Sequence, residues 1–568
     1  MRAPSVSQVQ AWRPEALADV AEQWDQAAGR LQSQAETVDG AVAGSSGVFT
    51  GSAAGAARDA IGPTTAGLRR ACRALVLAAA EARDAAEVIG RGRDRVLAVL
   101  ATARDEGCPV AEDGAVGPPV TAAPLLVTCS GGAEPAARAM LDARAGELTR
   151  RLRAALGELG AADAEAARAI DAAFGAVAEP VAVRPAAAAA DPVADWPDMS
   201  QDRIAGQIAA MTEAERQRLI DQRPHEVGNT DGVPWDMRMA ANRINIASAI
   251  LDERRTLETP DEVKLRAAVD PTMNPADAER WWAALHVDPA LRAAALAHYD
   301  RGAHTRIAYY ETLLADVADP ADHDRRVPRQ IVGFDPARES LIEVSGDLGR
   351  ARALGVLVPG LNTTFDGAAD DIATARRFVA GSGGDVAMIT YLGGPFPTGD
   401  LLTGVVDAAD ARYAVQMARR LVAFSEDVDR RAGEIPVTYL GHSYGGSIVG
   451  TAERFGLTAD RVVYIEAAGS GVGVHDPSDW HNRNPAVARY SMTAPGDLIE
   501  LVQGIWFGAH GADPDDMAGV SRLAAGRRLN GLPMAGPSAH SDVLNEPSDA
   551  WHNILAVITG DRSNIRLD

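Results

Sequence analysis

Cysteine is scarce in this chain of 568 residues. The three cysteines are Cys72, Cys108 and Cys129, and no Cys-x-x-Cys occurs among them. This argues against a zinc site built on thiolates. Cys72 lies in a helical stretch and is predicted to be a buried apolar residue. Cys108 and Cys129 flank one loop segment and could form a disulfide in an oxidising compartment, although chance placement of two thiols is the simpler interpretation.

Long apolar runs are also missing. No stretch approaches 18 uninterrupted apolar residues, so the sequence predicts no transmembrane helix. Residues 1–17 carry polar and charged side chains throughout, unlike the apolar segment of a cleaved signal peptide. We therefore expect a protein that is cytoplasmic, or one that is exported by a route without a cleaved signal.

Positive charge and aromatic side chains are scarce as well. The chain has 55 basic and 78 acidic residues, a net charge of −23, and one lysine, Lys264. Such an acidic protein repels phosphate backbones, which argues against a nucleic-acid partner. Aromatic residues make up only 5%, and much of the 47% apolar content is alanine. Length and composition together indicate two to four units, with long Ala-rich helices and at least one conventional core.

The N-terminal third has the spacing of long helices. Two helices are predicted over residues 14–104, with a break at 44–47, and a third over 134–176. The segment Val-Phe-Thr-Gly at 48–51 resembles the Trp-x-Gly family, the helical hairpins of actinobacterial type VII secretion, with Phe49 in place of tryptophan. The resemblance implies a helical hairpin and a helical partner for it. The family's Tyr-x-x-x-Asp/Glu export signal is missing, since the first tyrosine is Tyr299.

Composition divides the chain into four predicted regions. These are a helical bundle over 1–178, a Pro- and Ala-rich linker over 179–197, a helical cap or lead-in region over 198–327, and a catalytic domain over 328–568. The acidic cluster Asp322-His323-Asp324 could hold a metal, but a solvated loop is the favoured interpretation.

From residue 328 onward, short apolar segments alternate with helical ones. Continuous apolar strands joined by helices predict a parallel sheet covered on both faces. The expected fold class is therefore α/β, a doubly wound and mostly parallel sheet preceded by an all-α bundle. The strands are predicted at 330–334, 341–345, 353–358, 385–391, 437–440, 462–466 and 488–492, and the helices at 368–380, 408–431, 446–454 and 548–558.

One strand leads directly into a glycine-flanked serine. Residues 441–446 read Gly-His-Ser-Tyr-Gly-Gly between the predicted strand 437–440 and the helix that follows. This arrangement is typical of a nucleophile elbow, a strained turn that exposes a serine at the N-terminus of a helix. The helix dipole there favours developing negative charge. Ser443 is the predicted nucleophile, whereas His442 is expected to pack or to line the pocket.

At this point residues 198–560 resemble an actinobacterial family of α/β-hydrolases catalogued as a domain of unknown function. The elbow, the segment Val-Leu-Val-Pro-Gly at 356–360 and Ala-Asn-Arg at 241–243 carry the resemblance. It implies a serine hydrolase without supplying a substrate. In this fold the oxyanion is held by two backbone N–H groups, predicted as those of Tyr444 and of Leu361 in the loop after the strand 353–358.

The same fold implies an acid and then a histidine after the serine. Asp497 follows a turn after the strand 488–492 and is the predicted acid, with Glu466 at the end of the preceding strand as the alternative. His540 lies where the base is expected, in a loop after the last strand and before the final helix. His510 comes before the last strand, and His552 falls inside the final helix.

These residues predict a hydrolase of carboxylic esters that acts through an acyl-enzyme, with lipid esters among the candidate substrates. Neither a metal nor an organic cofactor is required by such a triad. Two alternatives stay open. The same triad could transfer the acyl group to an alcohol, or the hydrolase fold could be a catalytically silent scaffold in a secretion-associated interaction protein.

Overall fold

The computed structural model describes residues 3–45, 50–119, 134–175, 191–269, 273–398, 411–497, 509–545 and 547–568. The chain divides into two compact units, Met1–Ala186 with Ile250–Ala315 and Ala187–Ala249 with Asp316–Asp568. The first boundary lies near the predicted linker, and the second falls inside a helix that begins in one unit and ends in the other. The four-region division predicted from composition remains a prediction.

The first unit is all-helical. Alanines dominate the sequence of its long helices, as expected for residues that favour helix but bury little area. Among the described residues, no helix combines the length and the apolarity that a membrane crossing needs. The helices are α1 Val6–Ala11, α2 Glu15–Ser45, α3 Ser52–Asp105, α4 Glu134–Gly175, the end of α8 Trp235–Leu257, α9 Asp261–Ala267, α10 Pro275–Val287 and α11 Pro289–Leu314.

Helices α2 and α3 are antiparallel neighbours. Arg83 pairs with Asp25 and Arg69 with Asp39, so ascending positions on one helix meet descending positions on the other. A proline, Pro63, is a possible point of interruption in a helix, but α3 continues through it. Residues 46–49, which include Phe49, lie outside the described residues, as does Cys129. The Trp-x-Gly resemblance and the Cys108–Cys129 disulfide therefore stay predictions.

The second unit contains an eight-stranded sheet in the order β10-β9-β8-β7-β5-β6-β4-β3. Strands β5 to β10 pair in parallel, while β4 runs antiparallel to both β6 and β3. The fold class predicted from the alternation is confirmed. The strands are β3 Gln330–Asp335, β4 Ser340–Ser345, β5 Ala353–Val358, β6 Val386–Leu392, β7 Val437–His442, β8 Arg461–Ile465, β9 Ala488–Met492 and β10 Val520–Arg522.

Helices cover both faces of this sheet. On one face Phe378 of α12 stacks on Trp551 of α16, with ring centroids 5.1 Å apart. On the other face Phe424 of α13 contacts Tyr391 of β6, with ring centroids 5.2 Å apart. Every residue of β5 and β6 is buried, which explains their continuous apolar sequences. The helices of the second unit from residue 369 onward are α12 Ala369–Gly381, α13 Ala411–Ala432, α14 Tyr444–Arg454, α15 Ala539–Asn545 and α16 Asp549–Thr559.

The helices ahead of the sheet are fastened to its edge strand. Asn229 donates to the carbonyl of Phe334 and accepts from its N–H, at 3.0 and 2.8 Å, as a neighbouring strand would. Asn242 is fully buried and donates to the carbonyl of Ile331 at 3.2 Å. Strand β3 therefore presents fewer free backbone groups to another chain. These helices are α5 Gln201–Ala209, α6 Glu213–Gln222, α7 Pro224–Asn229 and the start of α8.

Residues 317–327 form a small antiparallel hairpin where the sequence suggested helices and a loop. Its strands are β1 Val317–Asp319 and β2 Asp322–Val327. The cluster Asp322-His323-Asp324 lies on β2, with its residues exposed to solvent. Strands of three and six residues are too short for their sequence pattern to be distinguished from that of a helix, which explains the difference.

Candidate functional site

Ser443 lies at a strained turn between β7 and α14. Its backbone has φ 54° and ψ −121°, a left-handed conformation that non-glycine residues rarely adopt. Its N–H donates to the carbonyl of Ile465 at 2.9 Å, which ties the turn to the end of the neighbouring strand β8. The residue is 8% exposed. Strain of this kind is often held at functional sites by the surrounding structure.

Gly445 allows the turn to approach the adjacent strand. A Cβ built on this residue would lie 2.1 Å from the carbonyl oxygen of Val358, at the end of β5. No side chain can be accommodated at that separation without moving backbone. Gly445 is thus required by the close approach of the turn to β5.

Gly445→Ala is expected to destabilise the second unit by about 3 kcal/mol or more, because the methyl group collides with backbone rather than with a flexible side chain. Thermal unfolding should show a clearly lower midpoint. Gly206→Ala is the matched control, since no atom lies within 4 Å of a Cβ there and the site is in a helix of the same unit. An unchanged midpoint for Gly445→Ala would contradict the close approach.

The loop after β5 lies against the serine. A Cβ on Gly360 would be 2.6 Å from Ser443 Cβ and 3.1 Å from its Oγ. The next residue, Leu361, has an N–H with no hydrogen-bond acceptor among the described residues. Tyr444 is the first residue of α14, so its N–H lies at the N-terminus of that helix. The N–H groups of Leu361 and Tyr444 thus belong to the loop and to the helix that flank the serine.

The imidazole of His540 is held by a carboxylate. His540 Nδ1 lies 2.8 Å from Asp497 Oδ2, and Asp497 is 3% exposed. Asp497 follows β9 after a turn, as the sequence indicates. His540 does not lie in a loop as predicted but in the first turn of the short helix α15, after β10 and before α16. Seven residues give too little periodicity for that helix to be recognised.

A guanidinium fixes the segment that carries His540. Arg528 donates from Nε to Asp542 at 2.9 Å and from Nη2 to the Ser538 hydroxyl at 2.8 Å. These two acceptors flank the histidine in the chain. The imidazole is thus positioned by its own backbone as well as by Asp497.

His442 supplies a contact that the sequence did not reveal. Its Nε2 lies 2.7 Å from the backbone carbonyl of His540, and the two ring centroids are 5.1 Å apart. A carbonyl only accepts, so Nε2 carries a proton and donates. Burial, followed by the charge of His540, lowers the pKa of His442 to about 4, which keeps this ring neutral at pH 7. In the sequence, this contact is indicated only by the position of His442 directly before Ser443 in the segment Gly-His-Ser-Tyr-Gly.

Glu466, the alternative acid, lies beside the same pair. It is fully buried at the end of β8 with φ 44°, and its Oε1 accepts from the N–H of Ala494 at 2.9 Å. One oxygen or nitrogen from each of Glu466, Asp497 and His540 lies within 4.8 Å of the others. Burial first, and then the adjacent Asp497, raise the pKa of Glu466 to about 9, so this carboxyl is neutral at pH 7.

These three side chains also offer donor types that a cation accepts. Among the described residues, this is the group of three His, Cys, Asp or Glu side chains whose oxygen and nitrogen atoms lie close enough together to bind one ion. The direct 2.8 Å bond between His540 Nδ1 and Asp497 Oδ2, however, requires a proton between the two atoms. The expectation that no metal takes part stays a prediction.

The other histidines considered from the sequence have different partners. His510 Nδ1 lies 2.9 Å from the Ser447 hydroxyl, one turn along α14. His552 lies in α16 and its Nδ1 is 2.7 Å from the Ser548 carbonyl. Throughout the described ranges, the hydroxyl of Ser443 makes no hydrogen bond, so its contact with His540 belongs to the proposal below.

Comparison with known proteins agrees with this architecture. Residues 335–505 match a family model described as Alpha/beta hydrolase. The chain is also 24% identical over 425 residues to two proteins of Mycobacterium tuberculosis, Uncharacterized protein MT2140 of strain CDC 1551 / Oshkosh and Uncharacterized protein Rv2079 of strain ATCC 25618 / H37Rv. Each alignment covers 67% of this chain and 57% of the relative, so the chain spans a little over half the length of these relatives. The second unit has the α/β-hydrolase fold that the matched family model describes.

Proposed function

We propose that this protein is a serine hydrolase that cleaves carboxylic esters through an acyl-enzyme. The observation that carries the proposal is the 2.8 Å bond between His540 Nδ1 and the buried Asp497. His442, which directly precedes Ser443 in the chain, contacts the His540 carbonyl at 2.7 Å. A serine hydroxyl needs a base to become a nucleophile at neutral pH. A carboxylate-bound imidazole supplies one.

In the proposed reaction Ser443 Oγ attacks the ester carbonyl while His540 Nε2 takes its proton. The carbonyl oxygen becomes an oxyanion that accepts hydrogen bonds from the N–H groups of Leu361 and Tyr444. The imidazolium then gives its proton to the leaving alcohol, which departs and leaves an acyl-enzyme. A water molecule attacks this ester in the same way, and the carboxylic acid and the free serine are released.

Three electrostatic features of the site suit this sequence of steps. Asp497 accepts the Nδ1 proton, which fixes the tautomer in which Nε2 is free to act as the base, and stabilises the imidazolium that forms. The neutral His442 adds no positive charge beside that imidazolium. The oxyanion forms at the N-terminus of α14, where the helix dipole favours it.

An active-site fluorophosphonate probe tests the proposal. We expect covalent labelling of the wild-type protein and of Ser447→Ala, which removes a buried hydroxyl one turn further along α14. Ser443→Ala should not be labelled. A panel of acyl esters from short to long chains, assayed on the same three proteins, then identifies the preferred acyl group. Equal labelling of wild type and Ser443→Ala would refute the assignment, and a transfer product formed with an added alcohol would identify acyl transfer.

His442→Phe is expected to lower kcat by about threefold to tenfold with little change in KM. The ring is kept but the hydrogen bond to the His540 carbonyl is lost, and such a bond contributes about 0.5–1.5 kcal/mol. His442→Gln, which retains an N–H donor, should recover part of the loss. His552→Phe, in helix α16, is the matched control and should leave kcat unchanged. A wild-type kcat in His442→Phe would show that the bond does not position the base.

A further inference from the structure

Two carboxyl groups and one imidazole share a buried cluster, although a serine hydrolase needs one of each. Asp497 bonds His540, while Glu466 stands within 4.8 Å of both. Glu466 is fully buried and Asp497 is 3% exposed. The reaction proposed above assigns no role to the second carboxyl.

The environment decides which carboxyl holds a proton. Two carboxylates this close and this deeply buried do not both ionise, because each charge disfavours the other and burial disfavours both. Asp497 accepts the Nδ1–H of His540 and so is favoured as the carboxylate. Asp515 adds a further negative charge against ionisation of Glu466.

The hydrogen bonds of Glu466 lead to the same assignment. Its Oε1 accepts from the Ala494 N–H, but its Oε2 is buried and has no hydrogen-bond donor among the described residues. A buried oxygen without a partner costs about 1–3 kcal/mol. A proton on Oε2 converts this atom from an unsatisfied acceptor into a donor, and Asp497 is the carboxylate in the cluster that can accept from it.

We propose that Glu466 is a positioning residue, whose protonated carboxyl donates a hydrogen bond to Asp497 and so holds the carboxylate that orients His540. The inference rests on the proposed function. The chain of contacts runs from the Ala494 N–H through Glu466 and Asp497 to the imidazole. Glu466 itself touches neither the substrate nor the serine in this scheme.

Three substitutions separate this role from the others. Glu466→Gln keeps both contacts, because the amide oxygen can accept from Ala494 and the amide N–H can donate to Asp497. It should retain kcat within about threefold of the wild-type value at pH 7. Glu466→Ala loses both contacts and should lower kcat about tenfold to a hundredfold, with KM changed much less. Glu466→Asp shortens the side chain and should fall between the two.

The pH dependence provides a readout that a merely structural role would not move. The wild-type Glu466 loses its proton as the pH rises through about 9. Its donor bond then becomes a repulsion with Asp497, so we expect kcat to decline on the alkaline side. The amide introduced by Glu466→Gln cannot ionise, and the kcat of that variant should stay level over the same range. The groups that face Glu466 are Asp497, His540 and Asp515.

The outcomes are distinct. A loss of about 10⁴ in Glu466→Gln, with Asp497→Asn nearly as active as wild type, would overturn the proposal and make Glu466 the acid of the triad. Identical alkaline profiles for wild type and Glu466→Gln would overturn it as well. Failure of the proposed function is recognised separately, since wild type and Ser443→Ala would then be labelled equally by the fluorophosphonate probe, or not labelled at all. Thermal unfolding of each variant controls for folding, and Glu466→Gln serves if Glu466→Ala does not fold.

Discussion

Ser443→Ala should lower kcat toward an ester by a factor on the order of 10⁶, the scale seen when a triad serine is removed. The nucleophile is lost, so no acyl-enzyme can form. The backbone donors at Leu361 and Tyr444 remain, because they belong to the main chain. A residual rate on the order of 10³–10⁴ above the reaction in water is therefore expected from oxyanion binding alone. Steady-state assays with the best ester of the panel measure both quantities.

Ser447→Ala is the control for this substitution. Ser447 lies on α14 one turn after Ser443, is fully buried, and bonds His510 rather than His540. Its loss should leave kcat within a few-fold of wild type, while the unfolding midpoint reports the missing hydrogen bond. If Ser443→Ala kept more than about a hundredth of the wild-type kcat, the nucleophile would have to be another residue.

The backbone at position 443 gives an independent reason to expect so large an effect. A non-glycine residue at φ 54° and ψ −121° carries a backbone strain on the order of 1–3 kcal/mol. A glycine at this position would remove the strain, so a serine with no role beyond structure would be unfavourable here. The surrounding hydrogen bonds maintain the strain, with the Ser443 N–H bound to Ile465 and the Ser443 carbonyl accepting from Gly446 and Ala468. The fold therefore accepts a local loss of stability in order to hold the Ser443 hydroxyl in this position.

Much of the sheet could be predicted because its strands are continuous apolar segments. β5 and β9 have the predicted bounds, and the helices around the elbow begin within a few residues of where the sequence indicates. Burial on both faces removes polar residues from a strand, and that signal survives in the sequence whatever lies next to it. The elbow was recognisable for a similar local reason, since its glycines are required by close contacts with the residues around the turn.

The elements that were missed lack such a signal. β10 Val520–Arg522 is a three-residue edge strand with partly exposed side chains, and α15 has seven residues. Edge pairing and single helical turns are fixed by neighbours distant in the chain rather than by local periodicity. The contact of His442 with the His540 carbonyl joins residues 98 positions apart, and no pattern around either residue announces it.

The candidate site contains both residues that the sequence identifies and contacts that it does not reveal. Chain order was sufficient to name Asp497 and His540, which the structure brings to 2.8 Å. It could not say that Glu466, considered only as a substitute for Asp497, would lie next to it. Neighbouring parallel strands bring their carboxyl ends together, so residues after β8 and β9 converge although they are distant in sequence. The roles of these residues in catalysis remain predictions that substitution can test.

Asp497→Asn is expected to lower kcat by about 10⁴ while leaving the fold intact. The amide can donate its N–H to His540 Nδ1, which places the imidazole proton on Nε2. That tautomer cannot accept the proton of Ser443, so the base is lost although the ring stays in position. Circular dichroism and the unfolding midpoint should remain close to wild type, since the shape of the side chain is unchanged.

Asp516→Asn is the matched control, because Asp516 is an exposed aspartate in the turn before β10 and should leave kcat unchanged. The double variant Asp497→Asn with Glu466→Gln gives the sharper test. If Glu466 acts only through Asp497, its substitution adds nothing once Asp497 is an amide, and the double variant matches Asp497→Asn within about threefold. If kcat fell a further tenfold or more, Glu466 would be accepting the imidazole proton when Asp497 cannot. In that case removal of the neighbouring charge, which lowers the pKa of Glu466 toward its ordinary range, would have turned the second carboxyl into the acid.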